Sequence, residues 1–228
     1  MRKCILLDFD GTITNKDTTK ILLFELLKAK PWRFLLLTYV ILQVLYSKNS
    51  STLQNCKNRM IGHLISGQSF CQLQRALKRY SKKVNLLYRP VLLEKIKEAE
   101  INGDLVIVVT ASPCFAVSYC MANLPVTVIG TKFKKCGTFY SGNLDGKNCY
   151  GEEKVKNIKR FINDASFHVN VMEAWSDHFS DYPMMRMAKQ RYWIGDSRLN
   201  QQVNEKDPDG NLFLLDAKIS VDDNALYR

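Results

Sequence analysis

The first apolar run, CILL at residues 4–7, meets the cluster Asp8-Phe9-Asp10-Gly11-Thr12, which predicts a short buried strand over residues 4–9 ending in a turn. From Thr18 to Lys30 apolar positions recur at helical spacing, and Pro31 stops the pattern. A second apolar segment, Phe34 to Tyr46, follows at once. It has 13 residues and includes Thr38 and Gln43. A helix needs about 20 residues to cross a bilayer, so this segment is not read as a lone transmembrane span. Two more helices are predicted, over 52–66 up to Gly67 and over 70–83 with Ser69 as N-cap.

After Arg89 the pattern becomes an alternation of strands and helices. A helix over 91–102 closes at Gly103, and Leu105–Val109 is an unbroken apolar run, as a central parallel strand requires. Then come a helix at 113–123, a strand at 126–130, a hairpin-like stretch over 133–150, a helix at 152–163 and a strand running into Trp175. A helix at 183–190 and strands at 191–194 and 212–215 complete the series. This order predicts an α/β fold: a doubly wound, mainly parallel sheet with right-handed crossovers and an all-helical insertion. The core is placed at 1–15 and 90–228, the insertion at 16–89.

Length and composition narrow the picture further. The 228 residues, 46% of them hydrophobic, suit one α/β domain of about 150 residues plus an insertion. No fixed-period repeat, collagen-like or coiled-coil pattern is present, so those architectures are excluded. The seven cysteines contain no CxxC pair and only three His accompany them, which argues against a zinc site and for reduced thiols in a reducing compartment. The N-terminal apolar run stops at Asp8, short of the about 7–15 residues of a secretory leader, so the expectation is a cytoplasmic protein.

Charge changes the picture more. The net charge is +11, and residues 16–89 alone carry 14 Lys and Arg against Asp17 and Glu25. A basic surface confined to one segment points to a polyanionic partner: nucleic acid, an anionic membrane face or a phosphorylated ligand. A solvated face that only aids solubility is the plainer explanation.

Four polar clusters fall at the carboxyl ends of predicted strands, where ligands of such sheets bind. They are Asp8 to Thr12, Thr110-Ala111-Ser112 after LVIVV, Lys154 at the start of a helix, and Asp177 with Asp181. Phosphoryl transfer needs in-line positioning and neutralisation of spread negative charge. Asp8 and Asp10 alternate along an extended chain end, and Gly11 permits a curl and a close backbone approach to phosphate. Thr110 and the N–H groups after it can donate to phosphoryl oxygens, Lys154 adds a point charge, and Asp177 offers a hard oxygen ligand for Mg²⁺. Each cluster taken singly has a structural explanation: a turn, a strand end, a solvated lysine, a helix cap. Their order along alternating strands is what joins them.

In that order the clusters resemble the four motifs of the haloacid dehalogenase superfamily of phosphatases: DFDGT, VVTAS, GEEKV and SDHFSD. The helical insertion resembles the C1 cap of the branch that includes phosphoserine phosphatase, and TASP, G-x-E-K-V and SDxxxDxP look closest to phosphatidylglycerophosphatase C-like proteins. The resemblance implies that Asp8 is the nucleophile and Asp10 the general acid and base. It places Mg²⁺ on Asp8, the Asp10 carbonyl and Asp177. Gly11, Thr12, Thr110, Ala111, Ser112 and Lys154 then bind the phosphoryl group, with Asp181 in support. Phosphoserine phosphatases carry glycines after the second-motif Ser and a GDGxND fourth motif, which this chain lacks, so phosphoserine is disfavoured as substrate. His178, beside Asp177, is given no role.

The insertion joins its basic residues to Trp32, Phe34, Tyr39 and Tyr46, which suits peripheral contact with anionic lipid; Leu35–Leu45 equally suits the buried face of a bundle. The favoured substrate is a glycerophospholipid phosphomonoester, with a small soluble phosphomonoester as the alternative. A non-catalytic scaffold and a nucleic-acid binder are the readings from other classes; no nucleic-acid motif is present.

Overall fold

The structure, a computed structural model, describes residues 2–29, 50–165, 168–195 and 197–214. The segment Phe34–Tyr46, with Trp32, lies outside the described residues.

Six parallel strands form one sheet in the order β3-β2-β1-β6-β7-β8: β1 Arg2–Leu7, β2 Leu105–Pro113, β3 Thr127–Thr131, β6 Val169–Ser176, β7 Gln190–Gly195 and β8 Asn211–Leu214. A small antiparallel hairpin, β4 Phe133–Cys136 and β5 Phe139–Leu144, stands apart from it. Along β1 the side chains alternate between two cores. Ile5 and Leu7 join one with Val106 and Val108, while Cys4 and Leu6 join the other with Ile107 and Val109. Burial on both faces is why CILL and LVIVV read as unbroken apolar runs. The chain winds from β1 to β2 and β3 on one side, then returns to β6, β7 and β8 on the other. The switch point therefore lies at the carboxyl end of β1, where such sheets bind ligands.

Within residues 16–89 three helices are described: α1 Thr19–Ala29, α2 Ser50–Ile65 and α3 Phe70–Asn85. Ser69 caps α3 in a capping box with Gln72, as the pattern predicted. Glu25 on α1 is fully buried, and its carboxylate accepts hydrogen bonds from Arg79 Nε at 2.6 Å and Lys83 Nζ at 2.7 Å. A buried charge is tolerated only when paired, so this cluster fixes α1 against α3.

The helical layer is also stitched to the hairpin. Gly67 N donates to Tyr140 O at 2.8 Å, Tyr140 N to Gln68 O at 2.9 Å, and Ser66 Oγ to Ser141 O at 3.2 Å. Gly62 on α2 meets Gly142 on β5 so closely that a Cβ on Gly62 would lie 2.0 Å from the Gly142 carbonyl oxygen.

The remaining helices are α4 Pro90–Ile101, α5 Cys114–Cys120, α6 Glu152–Asp164, α7 Tyr182–Met185 and α8 Ser197–Lys206. Two expectations need correction here. The helix placed at 183–190 is only the short α7, because Met184, Met185 and Ala188 are drawn into the core and β7 begins at Gln190. The helix α8 was not expected at all: among its described side chains only Leu199 and Val203 reach the core, too few for an apolar stripe.

Candidate active site

β1 delivers Asp8 to the carboxyl edge of the sheet, where its N–H donates to the Trp175 carbonyl of β6 at 3.0 Å. The chain then turns sharply. Asp10 (φ −76°, ψ 122°) and Gly11 (φ 82°, ψ −20°) have the dihedrals of the two central residues of a type II turn, whose second position favours glycine. A Cβ on Gly11 would fall 1.9 Å from Asp177 Oδ2. Beside the expected backbone approach to phosphate, the missing side chain of Gly11 makes room for Asp177. Thr12 stands behind these carboxylates. It is fully buried and does not line the cleft; its hydroxyl donates to Asp177 Oδ1 at 3.2 Å and lies 3.5 Å from Asp8 Oδ2.

Lys154, three residues into the chain after Gly151, is 2% exposed. Its Nζ donates to Asp8 Oδ1 at 2.6 Å and to Asp181 Oδ2 at 2.7 Å, and Ser176 Oγ donates to the same Asp181 oxygen at 2.7 Å. A buried ammonium between two carboxylates keeps its proton, and their charge pushes its pKa up against the opposing effect of burial.

Asp10 faces the helical layer. Its Oδ1 accepts from Thr18 N and Thr18 Oγ1, both at 2.7 Å, and its Oδ2 from Ser112 Oγ at 2.5 Å. With the Thr18 proton given to Asp10, Tyr80 OH is the donor in its 2.7 Å bond to Thr18 Oγ1. A chain of hydrogen bonds therefore runs from α3 to Asp10. On β2, the Ser112 N–H is already taken by Thr110 Oγ1 at 3.0 Å, so it is not free for a phosphoryl oxygen in this arrangement. The Ala111 carbonyl accepts from Thr131 Oγ1 at 2.7 Å, which holds the strand end against β3.

These groups surround a cleft of about 300 Å³. Asp8, Asp10, Gly11, Thr110, Ala111, Ser112, Lys154, Asp177 and Asp181 all line it. So does His178, whose Nδ1 accepts from Ser180 N at 3.1 Å. Sequence reasoning missed the residues that the helical layer contributes: Thr18 and Tyr80 behind Asp10, and Asp17, Lys57 and Asn58 on the cleft wall. They belong to no short motif, and only folding brings them to the strand ends.

Burial dominates the electrostatics. It pushes the Asp8 carboxyl well above the usual range, with Asp181 and Asp177 adding to the effect and Lys154 opposing it. Burial also raises Asp10, against the bonds from Ser112 and Thr18. Asp177 is pushed up to about 6 by burial and then by Asp181, and the Thr12 bond opposes this. Among the described residues no group of three His, Cys, Asp or Glu side chains is placed to hold a metal ion. Asp8 and Asp177, joined at Thr12 Oγ1, instead offer two hard carboxylates whose mutual repulsion a cation would relieve. Such a pair fits Mg²⁺, which takes one or two carboxylates and completes its shell with phosphate and water.

The sign of the linkage follows for Asp177. Its folded pKa lies above the ordinary 3.8, so from about pH 4 to about 6 the folded chain holds more protons than the unfolded one, and stability falls as pH rises through that window. Asp17 and Glu25, held below their ordinary values, lose their contribution only at lower pH. The cation-free protein is expected to melt higher at pH 5 than at pH 7.5, and Asp177→Asn to narrow that gap by raising the melt at pH 7.5. Melting curves that rise steadily toward pH 7.5 in both proteins would contradict this.

A family model described as haloacid dehalogenase-like hydrolase matches residues 5–186. No curated protein matches the sequence. Among solved structures, a protein with unknown function from Bordetella pertussis Tohama I aligns with a TM-score of 0.78 at 15% identity, over 95% of this chain and 100% of that one. A phospho-aspartyl intermediate analogue of phosphoserine phosphatase aligns at 0.56 with 17% identity, over 88% and 90%. Cytosolic 5'-nucleotidase IIIB bound to cytidine aligns at 0.57 with 12% identity, over 92% and 80%. At these identities the likeness concerns the fold.

Proposed function

The chain belongs to the haloacid dehalogenase-like hydrolases, and on that premise we propose that it is a Mg²⁺-dependent phosphomonoester hydrolase working through a phosphoaspartyl intermediate. The observation that carries this reading is the Lys154–Asp8 contact of 2.6 Å, made where Asp177 and the Thr110–Ser112 strand end converge on one cleft.

Asp8 is the nucleophile. Lys154 holds its Oδ1, while Oδ2 has only the long approach from Thr12, so Oδ2 is the oxygen free to attack phosphorus. As that bond forms, the bond from phosphorus to the alcohol oxygen breaks and the alkoxide takes a proton from Asp10. Burial, which raises the Asp10 pKa, favours the protonated form that a proton donor needs. Asp10 then accepts a proton from water, whose oxygen attacks the phosphoaspartate and frees phosphate and Asp8. Lys154 compensates charge on the transferring group, and Thr110 and Ser112 border it. Mg²⁺, held by Asp8, the Asp10 carbonyl and Asp177, would supply positive charge to the phosphoryl oxygens.

The helices α1, α2 and α3 act as the cap that selects the substrate, and Asp10 is tied to them through Thr18 and Tyr80. The favoured substrate is a glycerophospholipid phosphomonoester such as phosphatidylglycerophosphate, met at an anionic membrane surface. What supports this is the exposed face of α3, with Arg75, Lys78 and Lys82, together with Leu86 (84% exposed) just after it and Phe24 of α1 (53% exposed), whose ring centre lies 5.4 Å from Lys83 Nζ of α3. Among the described residues no helix is long and apolar enough to cross a membrane.

The test is phosphate release with and without Mg²⁺ from phosphatidylglycerophosphate in mixed micelles, beside soluble phosphomonoesters. Mg²⁺-dependent turnover concentrated on the lipid is expected. Turnover on soluble esters alone would overturn the lipid assignment, and no turnover on any ester would overturn the phosphatase itself.

A further inference from the structure

Among the described residues two buried side-chain nitrogens have no hydrogen-bond partner, Asn58 Nδ2 and Arg89 Nε, and only Asn58 lines the cleft. Asn58 sits on α2 and is 5% exposed. A buried donor without an acceptor costs about 1–3 kcal/mol, so such a group in a cleft wall points to a ligand that completes it.

Its surroundings define what that ligand offers. Lys57 Nζ and Asp17 Oδ2 satisfy each other at 2.6 Å, and Asp17 Oδ1 accepts from Thr19 N at 2.8 Å. The one carboxylate described on this wall is therefore already neutralised. The other carboxylates of the cleft lie at the strand ends, where the phosphoryl group and its cation are placed: Asp8 and Asp181 bonded to Lys154, Asp10 to Thr18 and Ser112, Asp177 to Thr12. On the α2 wall an ammonium group finds only the Asp17 carboxylate already paired with Lys57, whereas an oxygen acceptor finds the Asn58 amide. The helix that carries Asn58 is fixed in place, because Gly62, one turn along the same face, is locked against Gly142 of the hairpin.

We propose that Asn58 reads the alcohol half of the substrate, and that its wall selects a leaving group bearing an oxygen acceptor, such as a hydroxyl, and no ammonium. This rests on the phosphomonoesterase reading and deepens it: a glycerol-type alcohol fits, an amino alcohol does not.

The experiment uses a pair of esters that differ at one end, 2-hydroxyethyl phosphate and O-phosphoethanolamine, with p-nitrophenyl phosphate run alongside. The wild-type protein is expected to favour the hydroxyl ester by about tenfold or more in kcat/KM, the fold-change of one hydrogen bond to a buried donor. Asn58→Leu is expected to collapse that ratio toward unity. Asn58→Asp, nearly the same shape, is expected to reverse it in favour of the ammonium ester, which general damage to the fold would not do. A wild-type preference for the ammonium ester, or a ratio unmoved in both variants while p-nitrophenyl phosphate is still hydrolysed, overturns the assignment of Asn58. Loss of all turnover in the wild-type protein, p-nitrophenyl phosphate included, overturns the phosphatase reading with it.

Discussion

Asp8→Asn is expected to lower kcat by about 10⁴-fold or more, the scale on which removal of a covalent nucleophile acts. The side chains are isosteric, but the amide cannot form the phosphoaspartate. The fold should survive, because Lys154 keeps Asp181 as its counter-charge at 2.7 Å and the substitution removes one of several crowded buried carboxylates. The informative measurement is single-turnover phosphate release together with a thermal melt. A variant that melts like the wild-type protein yet releases no phosphate supports the assignment. One that retains activity within tenfold would end it.

The second large effect concerns stability. Lys154→Met keeps the aliphatic stem and deletes the charge, which leaves Asp8 and Asp181 buried and facing each other without a cation. Breaking a buried ion pair from one side typically costs about 3–5 kcal/mol. The variant is expected to lose that order of stability in urea denaturation at neutral pH, and its activity with it. Adding Asp181→Asn should restore part of the stability by removing the stranded charge, but not the activity. A single variant as stable as the wild-type protein would show that the Lys154 cluster contributes no net stabilisation.

Much of this arrangement is legible in the sequence, for reasons that particular residues make clear. CILL and LVIVV announce buried parallel strands because both faces of β1 and β2 are covered. Asp8, Thr110 and Asp177 stand out because each interrupts or follows such a strand, and strand ends are where polar residues meet ligands. Ser69 marks a helix start through local hydrogen bonds alone. What the sequence does not display are contacts made only by folding. Thr18 and Tyr80 look like an ordinary threonine and a core aromatic until α3 is laid against α1. Asn58 sits in a polar stretch of α2 where nothing distinguishes it from Asn55. The space that Gly11 leaves for Asp177 is likewise hidden, because that neighbour lies far along the chain. Helix α8 escaped notice because two apolar residues give no periodic signal, and α7 was overdrawn because good helix formers such as Met184 and Met185 were claimed by the core.

The stitching of residues 66–68 to the β5 strand bears on how such enzymes are recombined. A chimera that exchanges the helical layer by crossing over only near residues 16 and 89 would separate Gly67 and Gln68 from Tyr140, and Gly62 from Gly142. The transplanted helices would then face a foreign hairpin whose backbone groups and glycine spacing were never matched to them. The unit to be exchanged in this chain is accordingly discontinuous: the helices together with residues 133–144, two stretches that must travel as a pair.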